Sequence, residues 1–477
     1  MLNEFIAFEE QNNLFEKVIQ DIYFWPFIRF ELYREIVTKK NDLGEMHTQA
    51  GENRLERLLN KVAQLPGYFM RNPLWNLRRK DVLIFNHSRR VKQGHFYECL
   101  FTEDLVRSLP YSYYVMEKPY LKRHFKPVLT KNLKYLENIY FLGIRKKRYV
   151  RKKYLMNRAE NSFIESLIED FNRMFNVQLD QSKWKSRVQT IIFDYHSRYD
   201  AYHYILNKVQ PKVLIQVVSY SFENLMFNEI AHKIGIPVIE LQHGFIGNYL
   251  PYVYQSKGNY QHHPDYLFCF GQYWKDVSRL PINKKNIIVT GASYYEKKKK
   301  TIDIETKKNK EIILFLSQGI IGKRLSKIAL SLAQILNLNK YEIIYKLHPG
   351  EYHRWKKEYP WLITAPFEII DHNERDLYYY LQKADYQIGV GTTAIFEGLG
   401  LGLKTFIYKD YGHQMVEALY KNNYAVLFTS VEELYSNIIN VREPAVITDY
   451  FWETHSIENM IKEIEKIISK KKIKDNN

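Results

Sequence analysis

This chain predicts an α/β fold in two halves, each an open sheet flanked by helices, and three observations carry that expectation. Short apolar runs that read as buried strands alternate with amphipathic segments of helical period. A charged stretch, 296–310, almost without large apolar residues, interrupts the alternation, which begins afresh at Glu311. Late in the chain, Gln387-Ile-Gly-Val-Gly-Thr-Thr-Ala-Ile-Phe-Glu-Gly-Leu-Gly-Leu-Gly402 and then Lys404-Thr-Phe-Ile-Tyr408 read as strand, tight turn, helix, strand.

Residues 1–78 read as a helical extension. Phe5, Phe8, Leu14, Phe15, Val18, Ile19 and Ile22 recur at helical spacing, and a second helix starts at Trp25 with Pro26 in its first turn. An aromatic and basic segment, 68–80, closes this part and suits either a membrane surface or a packed, solvated face. The first α/β domain is expected over 79–297. Its first strand, 81–85, ends in the loop Asn86-His87-Ser88-Arg89-Arg90, and a second strand is expected at 139–142, before the basic run 145–153. Strand 213–218, a helix over 223–234 stopped by Gly235, and strand 237–241 follow, the last ending in Gln242-His243-Gly244. Strands near 266–270 and 287–292 complete the sheet. After a linker at 298–310, a second domain is expected over 311–450. Its strands 311–316 and 341–347 end in Ser317-Gln318 and His348-Pro349, and the glycine–threonine turn comes next. A basic helix at 451–477 closes the chain.

At 477 residues the chain is long enough for two or three cores, and its formal net charge of +17 calls for a negative partner: nucleic acid, anionic lipid or phosphorylated substrates. Two cysteines, Cys99 and Cys269, stand far apart and outside any CxxC spacing, which favours neither a disulfide framework nor a zinc site and fits a reducing cytoplasm. The first residues are acidic where a signal peptide is basic, and no apolar run reaches the length of a membrane span, so a soluble or peripheral protein is expected.

Three loops of the second half end strands on one edge of one sheet: Ser317-Gln318, His348-Pro349 and Gly391-Thr392-Thr393. Thr392 or Thr393 can cap the following helix, whose first N–H groups favour an anion. His348, with Lys346 nearby, can donate to phosphate oxygens. Glu397, one turn beyond Thr393, can accept from two ribose hydroxyls. Together these describe a pocket for a nucleoside diphosphate. His243, at a strand end before a glycine, can act as base, and His87, Arg89 and Arg90 are candidates for acceptor contact. A looser reading, Gly389-x-Gly391-x-x-Ala394 as a dinucleotide fingerprint, points to an oxidoreductase instead. A third class is a non-catalytic anion binder, though no nucleic-acid recognition motif is present.

The Lys346-Leu-His-Pro349 strand end, the Gly-Val-Gly-Thr-Thr-Ala-Ile-Phe-Glu turn, the two α/β halves and the terminal helix resemble the GT-B fold of nucleotide-sugar glycosyltransferases. More narrowly, they resemble bacterial capsule and surface-polysaccharide transferases and the related teichoic-acid glycerophosphotransferases. That resemblance covers about residues 210 to 440 and implies two Rossmann-like domains. It also implies transfer of a sugar from a nucleotide sugar to a glycan or polyprenyl-linked acceptor, with CDP-glycerol as the alternative donor; the basic charge fits lipid-linked, phosphorylated acceptors at the inner membrane face. His348, Thr392, Thr393 and Glu397 fall on the donor grip, backed by Ser317, Gln318, Lys346 and Gly391. Gln242, His243 and Gly244 fall on the acceptor side, with His243 as catalytic base. The nucleotide sugar is a substrate and no other cofactor is expected; without an Asp-x-Asp in a donor loop, no metal is expected either. An anionic membrane surface is an expected partner and nucleic acid is not.

Overall fold

A computed structural model describes residues 1–41, 67, 69–120, 123–254, 261–300, 309–440 and 448–475. Two sheets organise it. The first holds β1 (Val82–Phe85), β2 (Tyr113–Glu117), β3 (Leu133–Tyr135), β4 (Val213–Val217), β5 (Val238–Leu241), β6 (Tyr266–Cys269) and β7 (Ile287–Val289), in the order β7-β6-β5-β4-β1-β2-β3. The second holds β8 (Glu311–Leu316), β9 (Tyr341–Lys346), β10 (Glu368–Ile370), β11 (Tyr386–Gly389), β12 (Lys404–Tyr408) and β13 (Val426–Phe428), in the order β10-β9-β8-β11-β12-β13. All neighbouring pairs in both are parallel. Each order is the doubly wound, Rossmann-like one, in which the winding reverses between the first strand and the fourth. Strands such as β1, β4, β5 and β11 are buried along their whole length because helices cover both faces.

Four expectations need correction. The expected strand at 139–142 lies within a helix, Glu137–Lys153, and the strand is the preceding Leu133–Tyr135. The apolar residues there keep helical spacing: Ile139, Gly143 and Val150 are buried along one side. At the N-terminus, one helix stops at Gln11, because Asn13 takes a left-handed backbone. A hairpin, Val18–Ile19 with Ile22–Tyr23, then turns on Gln20 and Asp21, both at positive φ, before the helix Trp25–Asn41. Residues 71–80 are turn and coil, and 42–66 and 68 of the expected extension lie outside the described residues. The charged stretch begins as helix, Ser293–Lys300; 301–308 lie outside the described residues. Elements outside the sequence expectations include β2, the hairpin Val91–Gln93 with Phe96–Glu98, and the long helices Arg158–Phe175 and Gln181–Val209.

The halves share one apolar core. Leu267, Phe270, Trp274 and Tyr295 of the first pack with Leu314, Phe396, Leu399 and Trp452. The chain crosses back through this core after the second sheet. The Trp274 indole donates to the Phe451 carbonyl (3.1 Å) and the Trp452 indole to the Phe396 carbonyl (2.8 Å). Trp452 stacks on Tyr295 with centroids 4.0 Å apart. Gly271 allows the crossing: a Cβ there would lie 2.4 Å from the Phe451 carbonyl. The final helix, Ser456–Asp475, then lies on the first sheet, where Met460, Ile464, Ile467 and Ile468 join Val82, Ile84, Val213 and Ile215. Among the described residues no helix is long and apolar enough to cross a membrane.

Candidate functional site

In a doubly wound sheet a ligand sits where the winding reverses, at the carboxyl ends of the first and fourth strands. In the second half those are β8 and β11, and their loops are tied to each other. The Gln318 amide donates to the Gly391 carbonyl (3.0 Å) and accepts from the Gly391 N–H (3.1 Å). Gly391 is required there, since a Cβ would stand 2.5 Å from the Gly412 carbonyl oxygen. Thr392 caps the helix Thr393–Gly400, its hydroxyl accepting from the Ala394 N–H (3.4 Å). Thr393, at the first helical position, faces the other half: a Cβ on Gly244 would lie 3.9 Å from its hydroxyl.

His348 follows β9 and is open to solvent on one side. Its Nδ1 accepts from the Gly350 N–H (3.1 Å), so Nε2 carries the proton and can donate. Protein crowds its remaining sides and, with the charges of Arg89, Lys346 and Arg354, holds its pKa below the ordinary histidine value. Arg89 belongs to the first half and is exposed, so two loops from opposite domains present positive or donating groups to one place. Burial pushes the Glu397 carboxyl up to about 7, with Asp376 adding to the rise and the adjacent Tyr378 hydroxyl opposing it. Tyr294, Tyr295 and Tyr378 crowd this carboxyl from both halves, and each has its own pKa raised, first by burial and then by Glu397.

A carboxyl that keeps its proton longer in the folded state stabilises the fold most below its unfolded pKa, and that contribution is lost as pH rises through the folded value. Wild-type protein is therefore expected to lose stability relative to Glu397→Gln between pH 4.5 and about 7, by on the order of 3 kcal/mol. Thermal melts of both proteins across pH 4.5–8 check this; a constant difference in Tm would refute it.

On the facing side, His243 follows β5. Tyr252 donates to Glu240 (2.8 Å), so its oxygen accepts from His243 Nδ1 (3.2 Å), and the unprotonated Nε2 lies 3.5 Å from the Tyr220 hydroxyl. Burial and His87 drive the His243 pKa down to about 3. The imidazole is thus neutral and correctly oriented to accept a proton, but a weak base until negative charge arrives beside it. The rings of His87 and His243 lie 6.0 Å apart, nearly parallel. The reversal between β1 and β4 holds a cavity of about 130 Å³, lined in part by His87, Ser88, Lys118 and Glu223.

Five expected contact residues are directed elsewhere. Arg90 is buried, donating to Glu117 (2.7 Å), Thr130 (3.0 Å) and Glu103 (3.4 Å), so it braces the first domain instead of meeting an acceptor. Gln242 is buried between the Gly244 carbonyl and the Phe270 N–H. Ser317 is buried with its hydroxyl donating to Glu351 (3.0 Å). Gln318 joins two loops, as above. Lys346 turns to the Tyr352 hydroxyl and the His372 carbonyl, and burial lowers its pKa to about 8.

Sequence reasoning passed over Glu351. Fully buried, it accepts from Ser317, from the Tyr359 hydroxyl (3.0 Å) and from the His348 N–H (2.7 Å). Its place three residues after His348, beyond a Pro-Gly turn, was the available signal. Glu240, Tyr252 and the tyrosines about Glu397 carried none. The glycine fingerprint follows the fourth strand of its sheet, whereas a dinucleotide fingerprint follows the first. Among the described residues no group of His, Cys, Asp and Glu has the arrangement of a metal site.

No family model matches the chain. No curated protein matches it. Solved structures with a similar overall shape include the UDP-GlcNAc 2-epimerase of Methanocaldococcus jannaschii, at 12% identity over 81% of this chain and 99% of that one, with a TM-score of 0.49. A putative UDP-N-acetylglucosamine 2-epimerase from Listeria monocytogenes gives 11%, 82%, 97% and 0.49 for the same quantities. Acinetobacter baumannii MurG gives 10%, 81%, 99% and 0.42. At these scores the likeness carries nothing about chemistry. The class rests on the chain's own topology: two Rossmann-like domains with facing reversal points and a returning terminal helix, which is the GT-B architecture.

Proposed function

We propose that the protein is a glycosyltransferase that moves a sugar from a nucleotide-sugar donor to a hydroxyl of a cell-surface glycan or its polyprenyl-linked precursor. One observation carries this reading: the start of the helix Thr393–Gly400, which also bears Glu397, is met across the domain boundary by Gly244, the residue after His243. The donor diphosphate lies at the helix start and takes a hydrogen bond from His348 Nε2. Glu397 accepts from the ribose. Charge that grows on the leaving diphosphate is met by fixed donors, which stabilises the transition state more than the ground state. Arg89 adds positive charge from the facing domain, and Lys346 acts from behind the strand end. Bound phosphates raise the His243 pKa from its low resting value, so Nε2 becomes competent to take the acceptor proton only once donor is present. The nucleotide sugar is the only small molecule this scheme needs.

Melting-temperature shifts with a panel of UDP-, CMP- and GDP-sugars and CDP-glycerol test the donor; a shift with CDP-glycerol alone would replace glycosyl transfer by glycerophosphate transfer. His348→Ala and Glu397→Ala are each expected to weaken donor binding by about tenfold or more. His243→Ala should lower turnover by about a hundredfold or more with donor binding retained. Full transfer activity in all three variants would place the site elsewhere.

A further inference from the structure

The helix Glu137–Lys153 shows two unlike sides. Its inner side packs on the helix Gln181–Val209 through Ile139, Gly143 and Val150, and a Cβ at Gly143 would meet Ser197 at 3.2 Å. Its flank is pinned by Lys146 to Asp200 (2.8 Å) and Lys147 to Asp194 (3.3 Å). The outer side is a stripe at spacing i, i+3, i+4, i+7, i+8 and i+11: Phe141, Ile144, Arg145, Arg148, Tyr149 and Lys152. Phe141, Ile144 and Tyr149 are 51%, 67% and 69% exposed. Arg145, Arg148 and Lys152 are exposed and make no ion pair among the described residues. From Phe141 to Lys153 the sequence has no acidic residue. A merely solvated face mixes signs and is poor in large apolar groups.

A second apolar patch stands at the same edge of the first sheet. Phe69, Met70 and Trp75 are 62%, 82% and 55% exposed. Their segment runs beside the edge strand β3, with the Tyr135 N–H donating to the Arg71 carbonyl (2.8 Å) and Lys134 to the carbonyls of Asn72 and Trp75. That strand leads through Leu136 straight into the helix.

We propose that the outer stripe of Glu137–Lys153, with Phe69, Met70 and Trp75 beside it, docks the protein on an anionic lipid bilayer. Apolar rings and the isoleucine enter the boundary of head group and acyl chain, while arginine and lysine stems extend to the lipid phosphates. Nucleic acid would satisfy the cations but leave Ile144 and its apolar neighbours in water. The surface is independent of the transfer reaction, so failure of one reading leaves the other standing.

Co-sedimentation of the full chain with vesicles of phosphatidylglycerol and phosphatidylcholine, against phosphatidylcholine alone, is the test. Binding is expected only with the anionic lipid. Arg145→Glu/Arg148→Glu/Lys152→Glu should weaken it about a hundredfold or more, and Ile144→Ser/Tyr149→Ser by about tenfold, with Tm and donor-induced Tm shifts unchanged. The proposal is overturned by no sedimentation with anionic vesicles, by either variant binding as wild type, or by a duplex oligonucleotide binding more tightly than vesicles at equal salt.

Discussion

Arg29→Ala is expected to destabilise the protein by about 3–5 kcal/mol. Arg29 is 2% exposed and Glu9 0%. Its Nε and one terminal nitrogen donate to the two Glu9 oxygens at 2.7 and 2.8 Å, and the Trp25 indole gives Glu9 a third donor at 2.7 Å. Arg29 also donates to the carbonyls of Leu250 (3.1 Å) and Val253 (2.9 Å), and its guanidinium lies over the Tyr254 ring. Truncation leaves a buried carboxylate without its cation and takes the guanidinium donor from two carbonyls, of which Leu250 keeps the Val253 N–H. The turn between those carbonyls carries Tyr252, the partner of His243, so turnover should fall further than stability alone explains. Removing both charges, as Glu9→Leu/Arg29→Met, should recover much of the lost stability and little of the turnover. Denaturant titration with steady-state rates checks both; a loss under about 1 kcal/mol in Arg29→Ala would show the pair to be dispensable.

Glu351→Ala is the second large effect. Three donors converge on this buried carboxyl, and Ser317 is itself the acceptor for the Tyr345 hydroxyl (3.2 Å). Losing the carboxyl strands a backbone N–H and hydroxyls in a dry site, which costs about 2–4 kcal/mol. It also releases the His348 loop from β8, so donor affinity should drop by about tenfold or more. Glu351→Gln keeps the shape but turns an amide N–H2 toward existing donors, and an intermediate loss is expected. Isothermal titration with the donor, alongside melting, separates the two effects; unchanged affinity in a destabilised Glu351→Ala would confine this residue to stability.

The strand runs and the charged interruption made the two-sheet fold legible, because buried parallel strands are short, apolar and punctuated by glycine or polar turns. The long helices between β3 and β4 were passed over, and Ile139 was read in the wrong period, because four apolar or aromatic residues in a row satisfy strand and helix alike. Strand ends located the loops that meet at the domain boundary. Which way each side chain turns was not legible. Arg90, Ser317, Gln318 and Gln242 point to partners 13 to 73 positions away, and spacing carries no information on pairs so distant in sequence. The low pKa of His243 likewise comes from burial and from a second histidine, His87, that only the tertiary fold brings together.

The returning helix gives the molecule an order of completion. A ribosome delivers the strands of the first sheet long before Met460, Ile464 and Ile467 emerge to cover Val82 and Val213. The domain begun first is therefore finished last, and it waits with an uncovered apolar face while its partner domain is made. A chain cut short between residues 428 and 456 carries both sheets in sequence and lacks the piece that closes the earlier one.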